Sequence, residues 1–220
     1  MRILTISDEI VQQIYCGGAQ QRLHDVDMIL SCGDLPQYYI EYFVSTLNVP
    51  CLCVPGNHDG KPTLSESGES RNDFAGCDNV DGRVRRIGDL TIAGLGGSPW
   101  YNGELYQYTE GQMRRRVVLL AARLAFWQSR MGRPLDIMMT HAAPLGIHDG
   151  PGPHRGFKAF GWLIEHFHPR YFIHGHVHPR YGYNRTVESV VGSTTVINTV
   201  GYRVLDIMPT VPKRHGRVTS

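Results

Sequence analysis

The stretch FIHGHVHPR, residues 172–180, sets three histidines two residues apart at the end of an apolar run. Imidazole at neutral pH is a metal ligand or a proton carrier, and residues of similar chemistry recur at the ends of other apolar runs. ILTIS leads into Asp8, MILSCG into Asp34, CLCVPG into Asn57 and His58, IMMT into His141, and YFIHG into His176 and His178. Any one of these is weak, because a lone Gly-Asp is usually a turn and a lone histidine after a strand is usually a hydrogen-bonded surface residue. Together they are informative. The C-terminal ends of parallel strands share one edge of a sheet, and ligand sites form along that edge. Five run ends that each deliver an oxygen or nitrogen donor can therefore converge, although they are far apart in the chain.

Carboxylates, an amide carbonyl and imidazoles form a hard-to-borderline donor set. Such a set suits one or two divalent ions (Mn, Fe, Zn or Co) rather than copper or an iron–sulfur cluster. Two cations about 3.5–4 Å apart activate water and hold the attacking and leaving oxygens of a phosphoryl group. Phosphate-ester hydrolysis is the reaction this chemistry predicts.

The motifs GD at Gly33–Asp34, GNHD at Gly56–Asp59, His141 in THAAP and GHVH at Gly175–His178 resemble the calcineurin-like metallophosphoesterases in order and spacing, over roughly residues 3–207. The resemblance implies an α/β fold, a four-layer α/β/β/α sandwich of two mixed sheets flanked by helices. It implies one metal held by Asp34, Asn57, His141 and His176, with Asp34 bridging to another held by Asp8 and His178. It also implies His58 as the acid that protonates the leaving oxygen, with Asp59 orienting its ring and His174 structural.

One position departs from the pattern. The family opens with Asp-x-His, whereas this chain reads ISDEI and places Ile10 where the histidine would stand. The site of Asp8 then keeps three of its usual four protein ligands and is expected to be the weaker one. Glu9 is a candidate substitute, but it points opposite Asp8 if the strand continues; Gln12, Tyr15, His148 or a water are the others. The expected substrate is a small phosphate ester, a diester slightly before a monoester, with nucleotides among the candidates; nothing in the sequence reads as a cap domain that would select a small monoester. The competing expectation is a non-catalytic scaffold or protein-binding module with a degraded first metal site.

The elements needed to place these residues are legible. RILTIS, DMILSCG and CLCVPG with the amphipathic IEYFVSTL have a βαβ rhythm, and VRRI with LTIAGLGG reads as a hairpin. Residues 109–131 predict a helix capped by Thr109, with Met113, Val117, Leu120, Leu124 and Trp127 on one stripe. Arg114, Arg115 and Arg116 fan around that helix and are assigned no role. A strand at DIMMT, a helix at GFKAFGWLIEHF, the strand YFI and the runs TTVINTV and YRVLDI follow. The polar stretch 61–76 reads as a surface loop. The loop APLGIHDGPGPHRGF should border the site and offers His148 and Arg155 to a substrate phosphate, while Trp100, next to Tyr101, could stack on a base.

The 220 residues, 41% hydrophobic, suffice for one core, read here as a domain over residues 1–208 with a polar tail at 209–220. Lysine plus arginine number 22 against 20 acids, which provides no electrostatic case for nucleic acid as the main partner. The start, MRILTISDEIV, reads as neither a leader nor a membrane anchor, so a cytoplasmic protein is expected. The five cysteines, odd in number and including the CxC of CLCV, are expected to be reduced and mostly buried.

Overall fold

The computed structural model describes residues 1–15, 17, 19–59, 63–64, 70–71, 76–182 and 186–208. In chain order, strand β1 (Arg2–Ser7) and two single-turn helices (Gln12–Tyr15, Ala19–Arg22) precede β2 (Met28–Ser31), helix α1 (Gln37–Leu47) and β3 (Cys51–Cys53). Then come β4 (Asp78–Asn79) and the hairpin of β5 (Val84–Ile87) and β6 (Leu90–Leu95). Helix α2 (Glu110–Met131), β7 (Ile137–Thr140), α3 (Lys158–Phe167), β8 (Tyr171–His174), β9 (Glu188–Val191), β10 (Thr194–Asn198) and β11 (Gly201–Asp206) complete it.

These strands make two mixed sheets, ordered β11-β1-β2-β3-β4 and β9-β10-β8-β7-β6-β5. Within them β1 to β4 are mutually parallel, as are β6, β7, β8 and β10, while the antiparallel partners β5, β9 and β11 lie at the edges. The parallel strands are apolar on both faces because both faces are covered. Ile3, Met28, Leu30, Leu52, Ile92, Ile137, Met139 and Ile173 fill the layer between the sheets. Leu4, Ile6 and Ile29 pack outward on Ile14, Tyr39 and Phe43, and Met138, Phe172 and Val196 pack outward on Met113, Leu120, Leu124, Phe160 and Leu163. The result is the α/β/β/α sandwich expected from the resemblance.

Helix α2 begins where its cap was read. Thr109 Oγ1 accepts the Gln112 N–H, and the Gln112 side chain accepts the Thr109 N–H in return. Gly132, at φ +62°, ends the helix. Four residues of the predicted stripe are buried, and Trp127 is half-buried. Of the three arginines, Arg116 is engaged: its guanidinium pairs with Asp81 and lies 4.1 Å from the centre of the Tyr108 ring. No helix among the described residues is long and apolar enough to cross a membrane.

The cysteine expectation needs a correction. Cys51 and Cys77 form a disulfide, whereas Cys32 and Cys53 are free and buried as anticipated. The parallel register pairs Leu52 with Asp78 and so sets Cys51 opposite Cys77, with Cα atoms 4.5 Å apart, within disulfide reach. That register is invisible in a separation of 26 residues. Cys16 lies outside the described residues, as do the 209–220 tail and most of the 61–76 loop; within the loop, Thr63–Leu64 pairs with Ser70–Arg71.

Candidate metal centre

Each parallel strand ends at one edge, and the chain turns sharply there. Asp8, Asp34 and His176 take φ of +60°, +56° and +66°. This left-handed region costs a non-glycine residue of order 1–3 kcal/mol, and such strain concentrates at functional sites. Two glycines make the turns fit. A Cβ on Gly56 would stand 2.0 Å from Asp34 Oδ1, and one on Gly175 would stand 2.4 Å from Asp8 Oδ2.

The turns bring together Asp8, Asp34, His141 and His176, each offering one ligand atom within 4.8 Å of the others. Around His141 Nε2 lie Asn57 Oδ1 at 3.1 Å, His176 Nδ1 at 3.1 Å and Asp34 Oδ2 at 3.2 Å. His141 Nδ1 is 2.7 Å from the Cys32 carbonyl, which can only accept, so Nδ1 carries a hydrogen and Nε2 is the nitrogen turned to the site. His176 Nε2 likewise donates to the Pro153 carbonyl at 2.9 Å, leaving Nδ1 a lone pair. Asn57 spends its Nδ2 on Tyr101 Oη at 3.2 Å and so turns its carbonyl inward.

Asn57, His176 and Asp34 thus turn acceptor atoms toward His141 Nε2, and a positive charge, whether a proton or a metal ion, is needed there to hold them together. Ligand atoms about 2.1 Å from one cation are separated by about 3.0 Å at right angles and about 3.4 Å at the tetrahedral angle, which brackets the observed spacings. The residues present therefore fit a divalent cation. The carboxylates draw positive charge to this point. Burial opposes an imidazolium at His141, but the Asp34 and Asp8 carboxylates outweigh it and lift the group to about 10. Burial and the neighbouring His141 hold His176 down to about 3. Burial raises Asp8; at Asp34 burial is outweighed by His141, and the carboxyl is lowered to about 2.

His178 stands farther out, its Nε2 4.0 Å from Asp8 Oδ1. His58 is exposed, and its backbone N–H donates to Asp34 Oδ1 at 2.7 Å. Asp59 Oδ2 accepts the Asp34 N–H at 2.9 Å and the Gly56 N–H at 2.8 Å, so it staples the turns that carry Asp34 and Asn57.

The substrate candidates separate. Trp100 is 59% exposed, and Arg155 is also exposed. His148 is only 1% exposed, bonded through Nδ1 to His174 Nε2 at 3.1 Å and through Nε2 to Ser189 Oγ at 2.9 Å. It anchors its loop to the sheet and is not presented to a substrate. His174 is buried beside it.

Ile10 packs into the hydrophobic layer beneath α1. The expectation that Glu9 points away from Asp8 fails, because β1 stops at Ser7 and the left-handed turn at Asp8 breaks the strand alternation. Glu9 Oε1 instead lies 2.6 Å from His178 Nδ1. Residue patterning did not single out Tyr101 as a partner of Asn57, nor the Cys32 and Pro153 carbonyls that set the imidazole tautomers. Backbone carbonyls have no sequence signal, whereas Tyr101 does, as an aromatic in the GGSPWYNG turn, where Gln107 Oε1 accepts the N–H groups of residues 101 to 103.

A sequence model of the calcineurin-like phosphoesterases matches residues 2–180. The chain belongs to this family. A crystal structure of the protein TT1561 from Thermus thermophilus has the same fold, with a TM-score of 0.59 at 16% identity over 93% of each chain. A second crystal structure gives 0.62 at 16% identity, covering 93% of this chain and 94% of the other. At such identities the likeness is one of fold alone. None of the curated proteins matches the sequence. Family membership and the converging donors together support a metal-dependent phosphoesterase.

Proposed function

We propose that this phosphoesterase hydrolyses small phosphate esters, diesters ahead of monoesters, using one or two divalent ions from among Mn, Fe, Zn and Co. The observation that carries the reading is the set of oxygen and nitrogen atoms gathered around His141 Nε2, spaced as ligands of one cation are spaced. Asp34, Asn57, His141 and His176 would hold one ion, with Asp34 shared toward a second held by Asp8 and His178. Bound there, a divalent cation lowers the pKa of water and neutralises charge on a phosphoryl group.

The chain's own residues account for the rest. His58 is tethered to Asp34 through its backbone, and its exposed ring can give a proton to a leaving oxygen. Asp59 keeps the Gly56 and Asp34 turns in register. Trp100 and Arg155, both exposed, are the candidate contacts for the organic group and phosphate of the substrate; a nucleotide would suit both. Residues 1–208 serve as one catalytic unit in this reading, with a small phosphate ester rather than nucleic acid or a membrane as the main partner.

The test is hydrolysis of bis-p-nitrophenyl phosphate and p-nitrophenyl phosphate by metal-stripped protein resupplied with each ion, with bound metal counted in parallel. Expected is metal-dependent turnover, faster on the diester, falling about 10²–10⁴-fold in His58→Ala while metal is retained. Bound metal with no turnover on either substrate would overturn the hydrolase reading in favour of a scaffold.

A further inference from the structure

We propose that Glu9 is the positioning residue of the outer metal site, holding His178 in the tautomer that can bind a cation and thereby compensating for the histidine that Ile10 replaces. The inference rests on the reading of this edge as a metal centre and adds to it a residue that the Asp-x-His pattern does not contain.

The backbone brings Glu9 there. Asp8 N–H bonds the Gly33 carbonyl at 3.2 Å, Glu9 N–H bonds the Ser7 carbonyl at 2.6 Å, and φ is +60° at Asp8. The chain turns instead of continuing as a strand, so Ile10 enters the apolar layer and Glu9 faces the GHVH turn. Its Oε1 then lies 2.6 Å from His178 Nδ1 and 2.7 Å from Arg180 Nη2. A carboxylate only accepts, so the pair places the imidazole hydrogen on Nδ1 and leaves Nε2 to face Asp8 Oδ1 across 4.0 Å. A cation with ligands about 2.1 Å away would be within reach of both atoms, so Asp8 and His178 would hold it between them.

A carboxylate on the far nitrogen of a ligating histidine fixes the ring and raises its basicity. Arg180, on the same turn as His178 and 68% exposed, contributes little stability through an ion pair in that setting. Its geometric consequence is larger, because it holds the same oxygen that His178 needs. That shared oxygen, Oε1, is committed to His178 and Arg180 rather than to a cation.

The experiment is a Co(II) titration of metal-stripped wild type, Glu9→Ala and Glu9→Gln, followed by visible absorption and bound-metal analysis, with His178 ring-nitrogen shifts recorded on the metal-free proteins. Wild type should take up Co(II) in a tight and a weak step. Glu9→Ala should weaken the weak step about 10–100-fold and leave the tight one in place. Glu9→Gln should stay within about fivefold of wild type, because its amide oxygen can still accept from Nδ1. In the metal-free proteins the Nδ1–H form should dominate in wild type and lose its dominance in Glu9→Ala. Unchanged Co(II) uptake in Glu9→Ala, in one step or two, overturns the proposal, and so does a loss in Glu9→Gln equal to that in Glu9→Ala, which would make Glu9 a ligand. If wild type binds no Co(II), the metal-centre reading fails on its own, while the ring-nitrogen shifts still report whether Glu9 sets the tautomer.

Discussion

Substitution of Gly56 by alanine tests whether the two turns at the site are packed as tightly as the structure indicates. The new Cβ would meet Asp34 Oδ1 at 2.0 Å, its Cγ at 2.5 Å and its backbone nitrogen at 2.7 Å, whereas ordinary contact begins at 3.4 Å. The gap between 2.0 and 3.4 Å means that about 1.4 Å of movement must come from the Asp34 carboxylate or from the GNHD turn. Neither is free to move. Asp34 Oδ1 is held by the His58 N–H and its Oδ2 faces His141, while the Gly56 N–H is committed to Asp59. Overpacking of this kind costs about 1–3 kcal/mol. For a chain of this length, about 2–4 °C is lost per kcal/mol, so the melting temperature should fall by about 2–12 °C. A displaced ligand oxygen should weaken Mn or Co binding at least as much as losing a supporting residue does, about 10–100-fold. Scanning calorimetry and metal titration measure both effects. Gly111→Ala is the control, because its Cβ meets nothing within 4 Å on helix α2 and alanine favours a helix. A Gly56→Ala protein that melts and binds metal as wild type does would refute the packing account.

Two further outcomes follow from features away from the ligands. Burial, followed by the charge of Arg203, depresses His148 to about 4. Its folded value lies below the unfolded value of about 6.5, so the unfolded chain takes up the proton first. That contribution to stability is complete above about pH 6.5 and is lost as pH falls toward 4; urea midpoints at pH 7 and 5 should show a loss that His148→Gln reduces, and an equal pH dependence in the variant would refute the assignment. The Cys51–Cys77 crosslink, over 26 residues, restricts the unfolded chain by about 3.5 kcal/mol in the loop-closure treatment. Reductant or Cys77→Ser should lower the melting temperature accordingly, and an unchanged melt in both would contradict the disulfide.

Where sequence reading succeeded, a local cause was visible. Apolar runs ending in Asp, Asn or His marked the strands together with the polar residues that gather at their ends, because a parallel strand buries its length and exposes its end. Thr109 and Gln112 are a cap that needs no tertiary context. Where it fell short, the cause was non-local. Glu9 was placed on the wrong side because a left-handed Asp8 is not signalled by aspartate. Cys51 met Cys77 only through strand register. A buried histidine such as His148 is spelled like an exposed one, and its bonds to His174 and Ser189 depend on three separate segments meeting. Asp59 could be placed beside the site but not given its bonds, since its partners are the backbone N–H groups of Gly56 and Asp34.

The strand that delivers Asp8 is bordered on one side by β2 and on the other by β11, with Arg2 opposite Asp206 and Ser7 opposite Gly201. The turn carrying Asp8 therefore has both flanks only once β1 and β11 have met, a pairing of residues about 200 apart in the chain. A contact of such separation forms slowly, so this edge of the sheet closes through a long-range step that Asp34 and Asn57, set between neighbouring parallel strands, do not need.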